Sequence, residues 1–357
     1  MLRQLARLTR PVTAVPGALA IAVYADPDGR LIPAAERGAE GVACVDDAGR
    51  ALALLCDLWT ATRLPFLRAW AEGLLGLVLH MQDSDGCFVN FISDWDGTRN
   101  VDGPTSCALG GGTFWHARAV RGLASAALVF DDQRIAPALA RGIAHFRTAR
   151  DIPANVRALH VLTAVLLLRA GRMPEIAGDL AAWCEELAEC RHDGVLFDDP
   201  DQSAPHLWAH LQEGALTDGA SYVGRADLVA VARASAVRYL APLIASGFDL
   251  PTVQPDGVAS ALFGVERLAA VTGEHQFEVL SDQARAWFDG RNSAGWAVYD
   301  RRSGRVHDGI DDGVLNAHSG AESNIAAAQA LFAEVAREVA GQRIALESLL
   351  PAANVAA

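Results

Sequence analysis

The sequence predicts an all-α fold in which helix pairs close into a ring, with long loops gathered at one end. Three observations predict it. Apolar residues recur at helical spacing in block after block of the 357 residues. The connections alternate between short turns and long stretches rich in Gly, Asp and aromatics, and strand signals are few. Hydrophobic residues make up 51% of the chain, ample for a large core.

Taken in order, residues 1–35 read as an N-terminal arm. Arg3, Arg7 and Arg10 precede an apolar run from Pro11 to Ala25 that loosely mimics an export signal. Pro11 and Pro16 interrupt the run, and 19–24 reads better as a short strand. Asp46 or Asp47 then caps a helix to about Arg63, with Leu52, Leu55, Leu58 and Trp59 inward. Pro65 starts the next helix, which buries Phe66, Leu67, Trp70, Leu74, Leu77 and Val78. Further helices are predicted over 113–130, 134–149, 154–170, 174–190, 206–215, 225–245, 257–271, 276–289 and 320–338. The remaining strand signals are 87–92 and Trp296–Tyr299. Long connections fall at 83–112, 192–206, 216–224 and 290–319. Their length and their aromatic residues mark them as functional loops. No strict repeat period appears, which favours a closed ring over an open solenoid. The pattern runs through without a linker, so 1–357 is expected to form one domain.

Composition excludes several functions. A formal net charge of -13 repels phosphate backbones, so no nucleic-acid partner is expected. The sequence contains no lysine. That removes Schiff-base chemistry and a P-loop lysine. No Gly-x-Ser-x-Gly elbow is present, and Gly110-Gly111-Gly112 is not followed by the lysine of a nucleotide loop. The cysteines, at 44, 56, 87, 107, 184 and 190, form no C-x-x-C pair and read as reduced core residues of a cytoplasmic protein. No apolar run is long and clean enough to be read as a membrane span. His206 and His210 have a chelating spacing, but the Glu that hydrolytic zinc helices place after the first His is absent. They read as cleft or polar-face histidines, and no metal or organic cofactor is expected.

Three segments carry a family resemblance. They are Glu40 to Leu52 with the acidic pair Asp46-Asp47, then Asp85-Gly86-Cys87-Phe88-Val89-Asn90-Phe91 with the glycine loop to Gly112. The third runs from Gly290-Arg291-Asn292 through Asp308-Gly309-Ile310-Asp311-Asp312-Gly313 to Gly320-Ala321-Glu322-Ser323. In order and spacing they resemble bacterial helical domains found beside or fused to glycosyltransferases. Those domains belong to the six-hairpin glycosidase-like group, which also includes sugar epimerases. The resemblance implies an (α/α)6 toroid, a carbohydrate ligand and a glycosyltransferase partner. One departure stands out. Where relatives carry a Glu-Asp pair ahead of a helix, this chain has Asp102-Gly103-Pro104-Thr105-Ser106-Cys107.

The leading expectation is a glycoside hydrolase acting on an oligosaccharide or polysaccharide through paired carboxyls, one donating a proton and the other activating water or attacking carbon. Glu322, at a helix start after a loop crowded with Asp, Asn and His, is the first candidate, with Asp312 or Asp47 as its partner. A helix start lowers a carboxyl pKa, which suits a base. Substrate-binding candidates are Asp46, Trp95, Asp96, Asp102, Trp115, His116, Arg118, Asp218, Tyr222, Trp296, Asp311 and His318. Sugars stack their apolar faces on aromatic rings, and neighbouring acids bind hydroxyls. Each has a plainer explanation: capping for Asp46 and Asp47, a turn for Asp311-Asp312-Gly313, a core role for Trp115. The rival expectations are an epimerase or isomerase using His116, His206, His210 and His318, a non-catalytic glycan-binding partner of a glycosyltransferase, and, by fold analogy, an isoprenoid cyclase.

Overall fold

The computed structural model describes residues 1–36, 38–103, 114–199, 201–202 and 204–351. The expected glycine loop Gly110–Gly112, and Cys107, lie outside the described residues. The chain divides into two compact units. One comprises Met1–Arg150, Asp300–His307 and Ala317–Ala357; the other comprises Asp151–Tyr299 and Asp308–Asn316.

In the first unit the helices Val45–Thr62 and Pro65–His80 form a hairpin, and Phe114–Ala127 and Ile135–Thr148 form another. The inner members, Val45–Thr62 and Phe114–Ala127, pack directly on each other. Gly49 and Gly122 permit this. A Cβ on Gly49 would meet the Arg118 carbonyl oxygen at 2.5 Å, and one on Gly122 would meet the Gly49 carbonyl oxygen at 2.8 Å. The helix Ala321–Ala330 packs on the other side of Val45–Thr62. Val45–Thr62 is therefore buried over most of its surface, from Val45 through Cys56 with Asp46 alone half-buried. The arm expected over 1–35 opens instead on a helix, Leu2–Leu8. Leu2, Leu5, Ala6 and Leu8 bury one face of it against Ala321–Ala330 and Arg343–Leu349. Short antiparallel pairs follow. Thr9–Pro11 pairs with Leu19–Ile21, Tyr24 with Ile32, and Cys44 with Phe91.

The second unit repeats the hairpin: Ala154–Arg169 with Ala177–Glu189, Gln212–Val223 with Ala226–Arg238, and Pro255–Thr272 with His275–Trp287. Gln212–Val223 is its innermost helix, packed on both Ala154–Arg169 and Pro255–Thr272, and every residue from Gln212 to Ala220 is buried. This corrects two expectations. The helix predicted over 206–215 starts only at Gln212, and the loop predicted over 216–224 is helical to Val223. Burial on all sides removes the polar face that periodicity needs.

The stretch Ala226–Ala245 differs from the expectation of no membrane-crossing segment. It has the length and mean hydropathy, 1.5, of a span, and about a third of it is buried. Leu228, Ala232, Ser235, Ala236, Leu240 and Ile244 form its buried stripe. Thr252–Val253, Gly309–Asp311 and Val314–Asn316 make a three-stranded sheet.

Candidate active site

In the first unit a charged cluster assembles where the helices Val45–Thr62 and Ala321–Ala330 begin. Cys44 adopts an extended backbone and its sulfur caps the first helix, accepting from the Asp47 N–H at 3.4 Å. That leaves Asp46 and Asp47 in the first turn with different surroundings. Asp46 is partly open and pairs with Arg118 at 2.7 Å. Asp47 is 4% exposed. Burial pushes its carboxyl up to about 6; Arg50 pulls it down, Asp46 pushes it up, and the Cys44 thiol and Arg118 pull it down further. One turn further on, Arg50 points back and its Nη1 stands 3.2 Å from a Glu322 carboxylate oxygen. Arg50 is 7% exposed while a third of the Glu322 side chain reaches solvent. Tyr24 borders the same group. Its hydroxyl donates to Glu36 at 2.6 Å. Burial, Glu36, Asp47 and Glu322 raise its pKa above the ordinary phenol value.

Of the residues nominated from sequence, the structure thus brings Asp46, Asp47, Arg118 and Glu322 into one cluster. Arg50, Tyr24, Glu36 and Cys44 were not foreseen. Arg50 carried a signal, a guanidinium inside the apolar run Ala48 to Leu55, where burial requires a partner.

The other nominated residues of this unit have separate settings. Trp115 Nε1 donates to the Phe88 carbonyl at 3.0 Å. His116 is wholly buried, its Nε2 3.1 Å from the Gly142 carbonyl oxygen and its ring edge-on to Phe88 and His145. Asp96 accepts from the Thr98 N–H and hydroxyl, which hold its carboxyl below the usual range. Trp95 is half-buried beside it, while Asp102 and His318 are exposed.

The second unit holds the rest. Asp312 and Gly313 have φ of 47° and 77° and form the two-residue turn between Gly309–Asp311 and Val314–Asn316. The turn accounts for the Asp-Gly pair. Asp311 accepts from Asn316 at 3.1 Å, and Trp296, half exposed, donates to the Gly313 carbonyl at 3.0 Å. Asp218 sits on the buried helix between Arg267 at 2.7 Å and Arg169 at 3.3 Å. Tyr222 is exposed.

A second cluster in this unit is deeper. His210 and Glu213 are wholly buried, with His210 Nε2 2.9 Å from a Glu213 carboxylate oxygen. Ser235 donates to Glu213 at 2.6 Å. Asp198, 4% exposed, accepts from Gln212 at 2.7 Å and from the His206 N–H at 3.2 Å. It lies 4.0 Å from His210 Nδ1, which has no hydrogen-bond partner among the described residues. Tyr239 meets the His210 ring edge-on. Burial disfavours the charged imidazole, but Glu213 by charge and hydrogen bond, with Asp198 behind it, carries its pKa above the usual value. By sequence His210 stands with His206 at i, i+4. The spacing that forms the pair is His210 with Glu213 at i, i+3, with His210 two residues ahead of the helix that starts at Gln212.

No family model and no curated protein matches the sequence. Solved structures do. A cellobiose 2-epimerase from Spirochaeta thermophila superposes with a TM-score of 0.68 at 14% identity, covering 92% of each chain. A cellobiose 2-epimerase from Bacillus thermoamylovorans gives 0.71 at 11% identity, over 94% of this chain and 96% of the other. An endoglucanase from Alicyclobacillus acidocaldarius gives 0.51 at 15% identity, over 93% of this chain and 82% of the other. The likeness shows the fold. The chain has the all-α, (α/α)6 toroid architecture of these enzymes, as the sequence predicts. None of the three is a glycosyltransferase-associated domain.

Proposed function

We propose that the protein is a carbohydrate-active enzyme that moves a proton beside the carbonyl of a reducing sugar, as an epimerase or isomerase. The observation that carries this reading is the His210–Glu213 pair. Epimerisation beside a carbonyl needs a group that removes a proton from carbon and one that returns it. Glu213 fixes the protonation and orientation of one ring nitrogen, and the other has a buried carboxylate, Asp198, 4.0 Å away. That arrangement poises an imidazole to hold or release a proton. The near-complete coverage of both cellobiose 2-epimerases supports the same reading. Asp46 and Glu322, each paired with an arginine and each reaching solvent, have the chemistry of a sugar-hydroxyl site.

Hydrolysis is the second reading, and one observation favours it. Asp47, a buried carboxyl pushed up to about 6, shares its cluster with Glu322, a partly exposed carboxyl ion-paired with Arg50, so a proton donor and a second carboxyl are both at hand.

Chromatography of D-glucose, D-mannose and cellobiose after incubation with the protein tests both. The proposal expects the 2-epimer or the ketose, and a rate at least 100-fold lower for His210→Asn. Glucose released from cellobiose, with no epimer or ketose, supports hydrolysis. A sugar that binds and stays unchanged overturns both readings in favour of a glycan-binding role.

A further inference from the structure

The segment after the helix Pro65–His80 makes a tight turn against the helix Ile135–Thr148. The Asp83 N–H donates to the Cys87 carbonyl at 2.7 Å and the Gly86 N–H to the Asp83 carbonyl at 3.0 Å. Gly86 has φ of +99°, and a Cβ there would come within 2.8 Å of both Cβ and the carbonyl oxygen of Arg141. Only glycine allows that approach. The Gln82 amide donates to the carbonyls of Gly86, at 3.3 Å, and Ala138, at 2.9 Å, and so ties the turn to the helix. The result is a convergence of unlike donors. Cys87 Sγ lies 3.6 Å from His145 Nε2. The Cys87 N–H donates to an Asp85 carboxylate oxygen at 2.9 Å and orients it. The candidate ligand atoms of Asp85, Cys87 and His145 all lie within 4.8 Å of one another.

We infer that Asp85, Cys87 and His145 form a site for a divalent metal of the zinc class. A tetrahedral zinc with Zn–S of about 2.3 Å and Zn–N of about 2.0–2.1 Å holds its sulfur and nitrogen ligands roughly 3.6 Å apart. The Cys87–His145 separation has this value before any movement. Thiolate with imidazole selects zinc-type ions over calcium or magnesium, which prefer all-oxygen shells. Asp85 is exposed and Cys87 and His145 are half-buried, so the fourth position faces solvent and takes water. On binding, the Cys87 thiol releases its proton to solvent, and His145 Nε2, which lies 3.0 Å from the Asp85 carbonyl oxygen, turns from that carbonyl to the metal as the ring proton moves to Nδ1. The Gln82 hydrogen bonds preorganise the turn and cost the metal little ordering. The same segment continues into Asn90, whose carbonyl accepts the Val45 N–H, and Phe91, which pairs with Cys44. Metal at Asp85–Cys87–His145 therefore braces the strand that abuts Asp46 and Asp47.

Cobalt(II) titration of the reduced full-length protein tests the site without any activity assay. The expected result is a thiolate-to-cobalt charge-transfer band that saturates at one equivalent. It should be lost in Cys87→Ser and His145→Asn and weakened at least tenfold in affinity in Asp85→Asn. Zinc should raise the melting temperature of the wild type and leave Cys87→Ser unmoved. Should a variant fail to fold, zinc protection of wild-type Cys87 from alkylation, read by peptide mass, gives the answer. A band that survives in Cys87→Ser overturns the proposal. So does alkylation of Cys87 at the same rate with and without zinc.

Discussion

Arg50 and Glu322, far apart in sequence, meet at 3.2 Å and join the helices Val45–Thr62 and Ala321–Ala330 through one buried guanidinium. The pair explains why an arginine stands in the most buried helix of its unit. A third of the Glu322 side chain is exposed, so solvent screens the interaction. Glu322→Gln should therefore cost only about 1 kcal/mol in urea unfolding, well short of the roughly 3–5 kcal/mol of a fully enclosed pair. If Glu322 binds sugar, the same variant should weaken a sugar ligand at least tenfold by calorimetry. A large loss of stability with unchanged binding would make Glu322 a purely structural partner.

Asp47 sets a pH dependence. Its carboxyl is raised from 3.8 to about 6 in the folded chain, so the native state holds the proton more tightly than the unfolded one. That contribution is fully present below pH 3.8 and is lost as pH rises through about 6. Asp47→Asn, permanently neutral, should flatten the slope over this window and be relatively more stable than wild type at pH 7. Denaturant melts at pH 4, 5, 6 and 7 read this directly. Parallel curves for the two proteins would contradict it.

Glu213 is enclosed, and Ser235 and His210 both bond to it. Glu213→Ala leaves a buried imidazole without its carboxylate and should cost roughly 3–5 kcal/mol. His210 has a raised folded pKa, so its contribution is present below 6.5 and fades as pH rises through the raised value. The variant should lose that slope as well as the stability. A cost under 1 kcal/mol would show that the pair is not coupled as its geometry indicates.

Gly122 approaches the Gly49 carbonyl oxygen so closely that an added methyl would sit 2.8 Å from it. Gly122→Ala must push the two inner helices apart and should cost about 1–3 kcal/mol. Arg118 rides on one helix and Asp46 on the other, so their 2.7 Å pair should loosen too. Thermal melts with and without a sugar ligand check both effects. Full stability would mean the helices are not held by this contact.

Helices with one apolar face were legible from sequence, because periodicity reports a face. Ala154–Arg169 was legible although it is buried nearly all round, since Leu and Val dominate it. Gln212–Val223 was legible only in its first turn, to residue 215. Beyond that, Thr217, Gly219 and Gly224 give weak propensity and the buried Asp218 breaks the apolar pattern, so 216–224 read as a loop. Asp46, Asp47, Arg118 and Glu322 each stood out separately. What sequence could not supply was the partner of each charge, because ion pairs such as Arg50–Glu322 close only when distant helices pack. The turn at Asp312-Gly313 shows the converse, a motif fully explained by local backbone geometry.

Proton transfer beside a sugar carbonyl, as proposed for His210, exchanges the C2 hydrogen with solvent and is read by deuterium incorporation. Proton NMR of glucose, mannose and cellobiose in D2O with the protein should show the C2 proton signal fading in step with product formation. His210→Asn should abolish the exchange while remaining folded. A C2 proton that persists in all three sugars through many hours with folded wild-type protein would contradict the account.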